Sequence, residues 1–199
     1  METIPPLAAL AALISAMAHA GMALFTKRAE DTLTFRGVSM VFSALWLSPV
    51  LFLFPLPGWE VWRFLLMGAG LIWAFNMLMI SAFRRGSMNL VYPVMRGAAP
   101  AIAGLFAFVF LGEPLSPLAI IGLSVASAAI IAFAWPERGG APKAAALGFA
   151  LSAAVMTASY TVNDASGVRA AGSALIYAAW FFVLSAITLV GTAWIRRGD

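Results

Sequence analysis

Seven apolar stretches, each about as long as a bilayer is thick, are separated by short breaks in this sequence. A helix needs about 20 residues, at about 1.5 Å each, to cross a hydrocarbon layer about 30 Å thick. The stretches cover residues 6–26, 37–54, 64–83, 89–111, 115–135, 144–162 and 172–195. The breaks between them read KRAEDTLTFR, PLPGWEVWR, RRGSM, GEP, PERGGAPK and NDASGVRAA. Membrane-barrel strands alternate apolar and polar residues, whereas these stretches are apolar on every face. Only 10% of the chain is charged, against about 25% in a soluble domain. The reading is an all-α, polytopic transmembrane bundle of about seven helices. The connections are short, so consecutive helices run antiparallel.

The first stretch has a second reading, a cleaved signal peptide ending near SAMAHA. A signal peptide begins with positive charge. Here the start is Met1-Glu2-Thr3-Ile4-Pro5, which favours a retained helix. The absence of cysteine removes disulfides, thiolate nucleophiles and Cys-ligated metals together. The net charge of +4 is explained by basic loops, since Lys and Arg in short loops stay in the cytoplasm. One side collects Lys27, Arg28, Arg36, Arg84, Arg85, Arg138, Lys143, Arg196 and Arg197, and the other Arg63 and Arg169. The N-terminus is therefore expected outside and the C-terminus in the cytoplasm.

The first and sixth stretches align. ALISAMAHAGMALFTK and FALSAAVMTASYTVND place Ser15 with Ser152 and Lys27 with Asp164. Both carry Ala at every fourth position: Ala8, Ala12, Ala16 and Ala20, and Ala146, Ala150, Ala154 and Ala158. A five-helix unit has odd parity, so its repeat enters the membrane from the opposite side. Such inverted repeats are common in secondary transporters.

Residues 82–133, AFRRGSMNLVYPVMRGAAPAIAGLFAFVFLGEPLSPLAIIGLSVASAAIIAF, resemble the EamA-type branch of the drug/metabolite transporter superfamily. The features shared with the family are a Pro inside helix four (Pro93 or Pro100) and Gly112-Glu113 before helix five. A subgroup carries a pattern similar to Tyr92-Pro93 and Arg96-Gly97. Residues 159–181 resemble the opening of the family's second half. The resemblance implies a first five-helix repeat over residues 1–137 and two helices of an inverted second repeat over 138–199. Members usually have ten helices, so the second half reads as truncated. Many members begin in the cytoplasm, which departs from the charge count here. A bacterial inner membrane is the expected location.

Each polar group inside a bilayer needs a partner or a wet cavity. Arg96 lies between Pro93 and Pro100, and each of those prolines frees a backbone carbonyl. Arg96 either binds an anionic solute group or satisfies such a carbonyl or a carboxylate. His19 is a proton-coupling candidate or a hydrogen-bonded structural histidine. Tyr92 and Tyr160 are cavity-lining or interfacial groups. Asn76 is a path residue or a link between helices. Trp73 and Trp180 are the deeper tryptophans and are path candidates, while Trp46, Trp59, Trp62, Trp135 and Trp194 fit interfacial belts. Lys27 and Asp164, at equivalent helix ends, are gate candidates or solvated ends. Glu113 is a loop residue that gains weight from the resemblance. Ala99, Ala103 and Ala107 form a small-residue packing face.

The leading function is secondary transport of a small molecule (a metabolite, amino-acid-like solute or drug) by alternating access between inverted repeats. There is no GxxxxGK[ST] loop for ATP. Expected partners are the bilayer and the solute, with no cofactor, metal or nucleic acid. An intramembrane enzyme is disfavoured: a single His excludes HExxH, and Ser15 near His19 has no nucleophile elbow. A retinal-type receptor would need a Lys within a late helix, and both Lys lie at helix ends. The rival is a partner-dependent or inactive fragment, completed by a second copy or a second membrane chain.

Overall fold

A computed structural model describes residues 6–112, 114–134 and 144–198. The helices are α1 (Pro6–Arg28), α2 (Thr32–Leu53), α3 (Trp59–Arg85), α4 (Met88–Phe106), α5 (Pro117–Ala134), α6 (Ala144–Ala171) and α7 (Ala174–Gly198). Six of them are long and apolar enough to cross a membrane, and α5 contributes a shorter apolar stretch. Glu113, Trp135, Arg138 and Lys143 lie outside the described residues.

The helix ends follow local chemistry. Asp31 caps α2, accepting from the Thr34 amide at 3.0 Å and from the Thr34 hydroxyl. Such a cap stabilises a helix by about 1 kcal/mol. Pro55 and Pro57 lie just beyond the end of α2, where a continuing helix would meet a ring and a missing donor. Glu60 sits in the first turn of α3, with Arg84 and Arg85 in its last, matching the sign of the helix dipole at both ends. α4 finishes in a π turn, Ala107–Leu111. The chain then turns at Gly112, whose φ of +67° suits a residue with no Cβ.

Inside the helices the polar groups find local partners. Pro49 removes the donor that would serve the Leu45 carbonyl, and Ser48 Oγ donates to that oxygen at 2.8 Å. Hydroxyls of Ser39, Ser43, Thr157, Thr161 and Ser185 each donate to the carbonyl four residues back. In lipid this is how a short polar side chain avoids an unmet hydrogen bond.

α6 is the hub. α3 and α4 pack along it, α2 and α3 pack along α7, and α5 lies against α4. Lipid tails are as apolar as leucine, so association depends on close packing of small residues. α6 supplies them: Ala146, Ala150, Ala153, Ala154 and Ala158 are fully buried. Against Ala146, Ala150 and Ala153 sit Ile72, Phe75 and Met79 of α3 and Val91, Val94 and Met95 of α4. Ala99, on the small-residue face of α4, is buried with Ala98 beside Ala154. A second cluster joins Leu33 and Met40 of α2 to Ile80 of α3 and to Ala186, Leu189 and Ala193 of α7. α1 meets mainly α2, and its Ala16 and Ala20 are exposed, unlike the matching stripe on α6.

Two helix boundaries change the functional picture. The apolar pattern starts the second helix at residue 37, whereas α2 starts at Thr32. Arg36 is therefore a helical side chain, not a loop charge. The pattern stops the sixth helix at 162, whereas α6 runs to Ala171. Asp164 is therefore inside a helix rather than at its end. In both cases hydropathy falls at a polar residue while the backbone stays helical, because the side chains are bonded within the bundle.

Candidate solute cavity

A cavity of about 430 Å³ opens among α1, α2, α3, α4, α6 and α7. Its polar wall comes from Ser15 and His19 of α1, Arg36 and Ser39 of α2, Tyr92 and Arg96 of α4, and Tyr160 and Asp164 of α6. Its apolar wall includes Met40, Ile72, Phe75, Met79 and Phe182. Five residues singled out from sequence thus converge on one space: His19, Tyr92, Arg96, Tyr160 and Asp164.

Arg36 reaches the cavity from the second turn of α2. Its Nε donates to Asn76 Oδ1 at 2.8 Å. Asn76 is fully buried, and its Nδ2 donates to the Ile72 carbonyl at 2.7 Å. That second bond fixes which end of the amide faces the guanidinium. Asn76 does not itself line the cavity; it orients Arg36, which does.

Arg96 lines the same cavity from α4. Its guanidinium lies over the Tyr92 ring, 5.7 Å from the centroid, a favourable cation–π arrangement. Arg96 Nε is buried and has no hydrogen-bond partner among the described residues. Among the described residues Arg96 meets neither a freed carbonyl nor a carboxylate, so the two structural tasks open to it are not performed. Tyr160 sets its ring edge-on against Phe75 at 5.8 Å.

Asp164 is held differently. Its Oδ1 accepts from the Tyr177 hydroxyl at 2.8 Å and from Asn163 Nδ2 at 3.1 Å. Asn163 Nδ2 also reaches the Phe64 carbonyl at 2.9 Å, tying α6 to α3. Gly68 makes this approach possible: a Cβ there would lie 3.0 Å from Asp164 Oδ1 and 3.1 Å from Asn163 Nδ2.

The other sequence candidates lie elsewhere. Lys27 donates to the Phe83 carbonyl and, at 3.2 Å, to the Gly86 carbonyl, with its ammonium over the Phe83 ring. It ties the end of α1 to the C-terminus of α3, where a cation also meets the helix dipole. Trp73 is outside the cavity wall, its indole N–H bonded to Thr192 Oγ1 at 2.9 Å across α3 and α7. Trp180 packs on Trp62 at 5.1 Å. Among the described residues no group of three or more His, Asp or Glu side chains converges as a metal site would require. Arg36 and Tyr177 are the site residues that a hydropathy reading passes over. The Asp31 cap was the available signal for Arg36, because it starts the helix early enough to include the arginine.

The sequence model of the EamA-like transporter family matches residues 6–135. The chain belongs to that family. It is thus a multi-pass membrane protein of a transporter family, and the match covers α1 to α5. No curated protein and no solved structure gives a significant match. His19, Arg36, Tyr92 and Arg96 come from the stretch that defines the EamA-like chain, while Tyr160 and Asp164 come from beyond it.

Proposed function

We propose that this chain is a secondary transporter that passes a small molecule through the Arg36–Arg96 cavity by alternating access. The moving parts are a first repeat over residues 1–137 and an inverted second repeat begun by 138–199. The observation that carries this reading is one cavity, walled by both parts and lined with charged side chains inside membrane-spanning helices. Intramembrane charges are costly and are kept where they face a solute or ion path. The packing of α2 on α7 supports the repeat. These are the second helices of the two units, and an element lying against its own counterpart is what an axis between repeats produces. The basic residues support an external N-terminus and a cytoplasmic C-terminus in a bacterial inner membrane.

The test is solute counterflow in sealed proteoliposomes, with a panel of metabolites, amino acids and drugs. Saturable flux that Arg96→Ala abolishes is the expected result. Flux unchanged by Arg96→Ala would remove that residue from the pathway, and no flux for any solute would sink the transport reading. A second reading, a subunit completed by another copy or another membrane chain, draws on the exposure of α1. Leu13 and Met17 there are 64% and 75% exposed. Cysteine pairs introduced on α1 that crosslink only within one chain would exclude it.

A further inference from the structure

We infer that the solute is an apolar-bodied organic monoanion, held by its carboxylate between Arg36 and Arg96. This rests on the transport role proposed above, and adds to it the charge class of the cargo and a second binding residue, Arg36.

The argument is one of charge balance inside a bilayer. Two guanidiniums line the cavity, and a guanidinium stays protonated in a protein. Among the described residues, Arg36 makes one hydrogen bond, to the neutral Asn76. Arg96 makes none, and its Nε is buried. Neither meets a carboxylate of the described residues. Asp164 is the one acidic side chain on the described wall. It is already served by Tyr177 and Asn163 and pairs with neither arginine. With Asp164 ionised and His19 neutral, the wall carries two positive charges against one negative, with one positive charge in excess. A monoanion cancels that excess. A zwitterion leaves it in place, and a cation doubles it.

Geometry and polarity narrow the class further. A guanidinium presents parallel N–H donors that match the two oxygens of a carboxylate. With Arg36 Nε on Asn76, its terminal nitrogens remain to donate, and Arg96 has its whole fork. The rest of the wall includes apolar, polarisable side chains: Met40, Ile72, Phe75, Met79 and Phe182. Such a wall binds an alkyl or aryl body. A second anionic group, as in a dicarboxylate, would find no second guanidinium pair and would add a negative charge beyond the single excess positive one. A volume of about 430 Å³ is in the range of small-ligand sites.

The experiment uses the full chain in lipid nanodiscs and a panel of radiolabelled monocarboxylates (phenylacetate, 3-phenylpropanoate, hexanoate). Binding of at least one is expected, displaced by the others. Phenylalanine, the zwitterion with the 3-phenylpropanoate skeleton, should compete at least about tenfold more weakly, and 3-phenylpropylamine not at all. Arg36→Ala and Arg96→Ala should each weaken binding at least about tenfold, with Arg96→Lys retaining part of it. Unchanged melting temperature and size-exclusion profile show that the variants are folded. The inference is overturned if no monocarboxylate binds. It is also overturned if phenylalanine, the amine or inorganic phosphate competes as well as the carboxylates, or if both alanine variants bind normally. Arginine-dependent binding without counterflow in proteoliposomes would defeat the transport reading and leave this inference standing. Counterflow of a zwitterion or a cation that survives loss of both arginines would do the reverse.

Discussion

Replacing Tyr177 with Phe removes one hydroxyl and leaves the ring, which is 3% exposed and stacked on Phe181 at 6.2 Å. That hydroxyl donates to Asp164 Oδ1 at 2.8 Å. A hydrogen bond to a charged group is worth about 1.5–3 kcal/mol in soluble proteins. Links between membrane helices average about 0.6 kcal/mol and reach about 1.7. Asp164 Oδ1 keeps its second donor, Asn163 Nδ2 at 3.1 Å, so the loss falls within the membrane range. Water cannot easily replace the hydroxyl at a site this buried, so it falls in the upper part of that range. The expected cost is about 1–1.5 kcal/mol, near tenfold in the unfolding equilibrium. The assay is reversible unfolding in bicelles, run as a double-mutant cycle with Asp164→Ala, which removes the acceptor. A coupling energy of about 1 kcal/mol is expected, because the two changes remove the same bond. A coupling within about 0.3 kcal/mol of zero would refute the claim that this bond pins α7 to the cavity wall.

Gly167→Ala puts a Cβ 2.2 Å from the Tyr177 ring and 2.9 Å from Phe64 Cβ, so a destabilisation of about 1–3 kcal/mol is expected by thermal melting. Combining it with Tyr177→Leu should recover part of that loss. Lys27→Met leaves the Phe83 and Gly86 carbonyls without their ammonium, and should cost about 1 kcal/mol while solute affinity stays unchanged. Trp73→Phe loses the bond to Thr192 and should cost under about 1 kcal/mol. A fall in solute affinity in that variant would place Trp73 on the path after all. A reporter fused after Arg197 should be active only in its cytoplasmic form, and activity outside would invert the orientation.

The fold was legible because lipid imposes one strong rule. A stretch of about 20 apolar residues has few options other than a spanning helix, and each of the seven stretches contains or overlaps one of the seven helices. Helix ends were less legible, since hydropathy registers polarity and not backbone conformation. Arg36 is the clearest case. By charge it reads as a loop residue, but the Asp31 cap places it in the second turn of α2. Of the candidates, Arg96, His19, Tyr92 and Tyr160 follow from asking which polar groups sit inside a span, and all four line the cavity. Trp73 and Lys27 do not line it. Both are polar-tipped side chains on spanning helices, but one points to α7 and the other to the end of α3. Depth along a helix can be read from sequence; the face a residue occupies depends on neighbours that the sequence does not name.

The polar groups of the bundle divide by whether the protein itself completes them. Ser and Thr hydroxyls turn back to their own helices, Asn76 completes itself on Ile72 and Arg36, and Lys27 completes itself on α3. Asp164 collects two donors from its surroundings. Among the described residues Arg96 collects no hydrogen bond, although Pro93 and Pro100 on its own helix each leave a carbonyl without a helical donor. A chain that finds partners for nearly every small polar group, and leaves one guanidinium facing an open cavity, has reserved that charge. Helix stability gives no reason to keep an arginine there, because an apolar residue of similar size would avoid the desolvation cost altogether. The economical explanation is that its partner arrives with the solute.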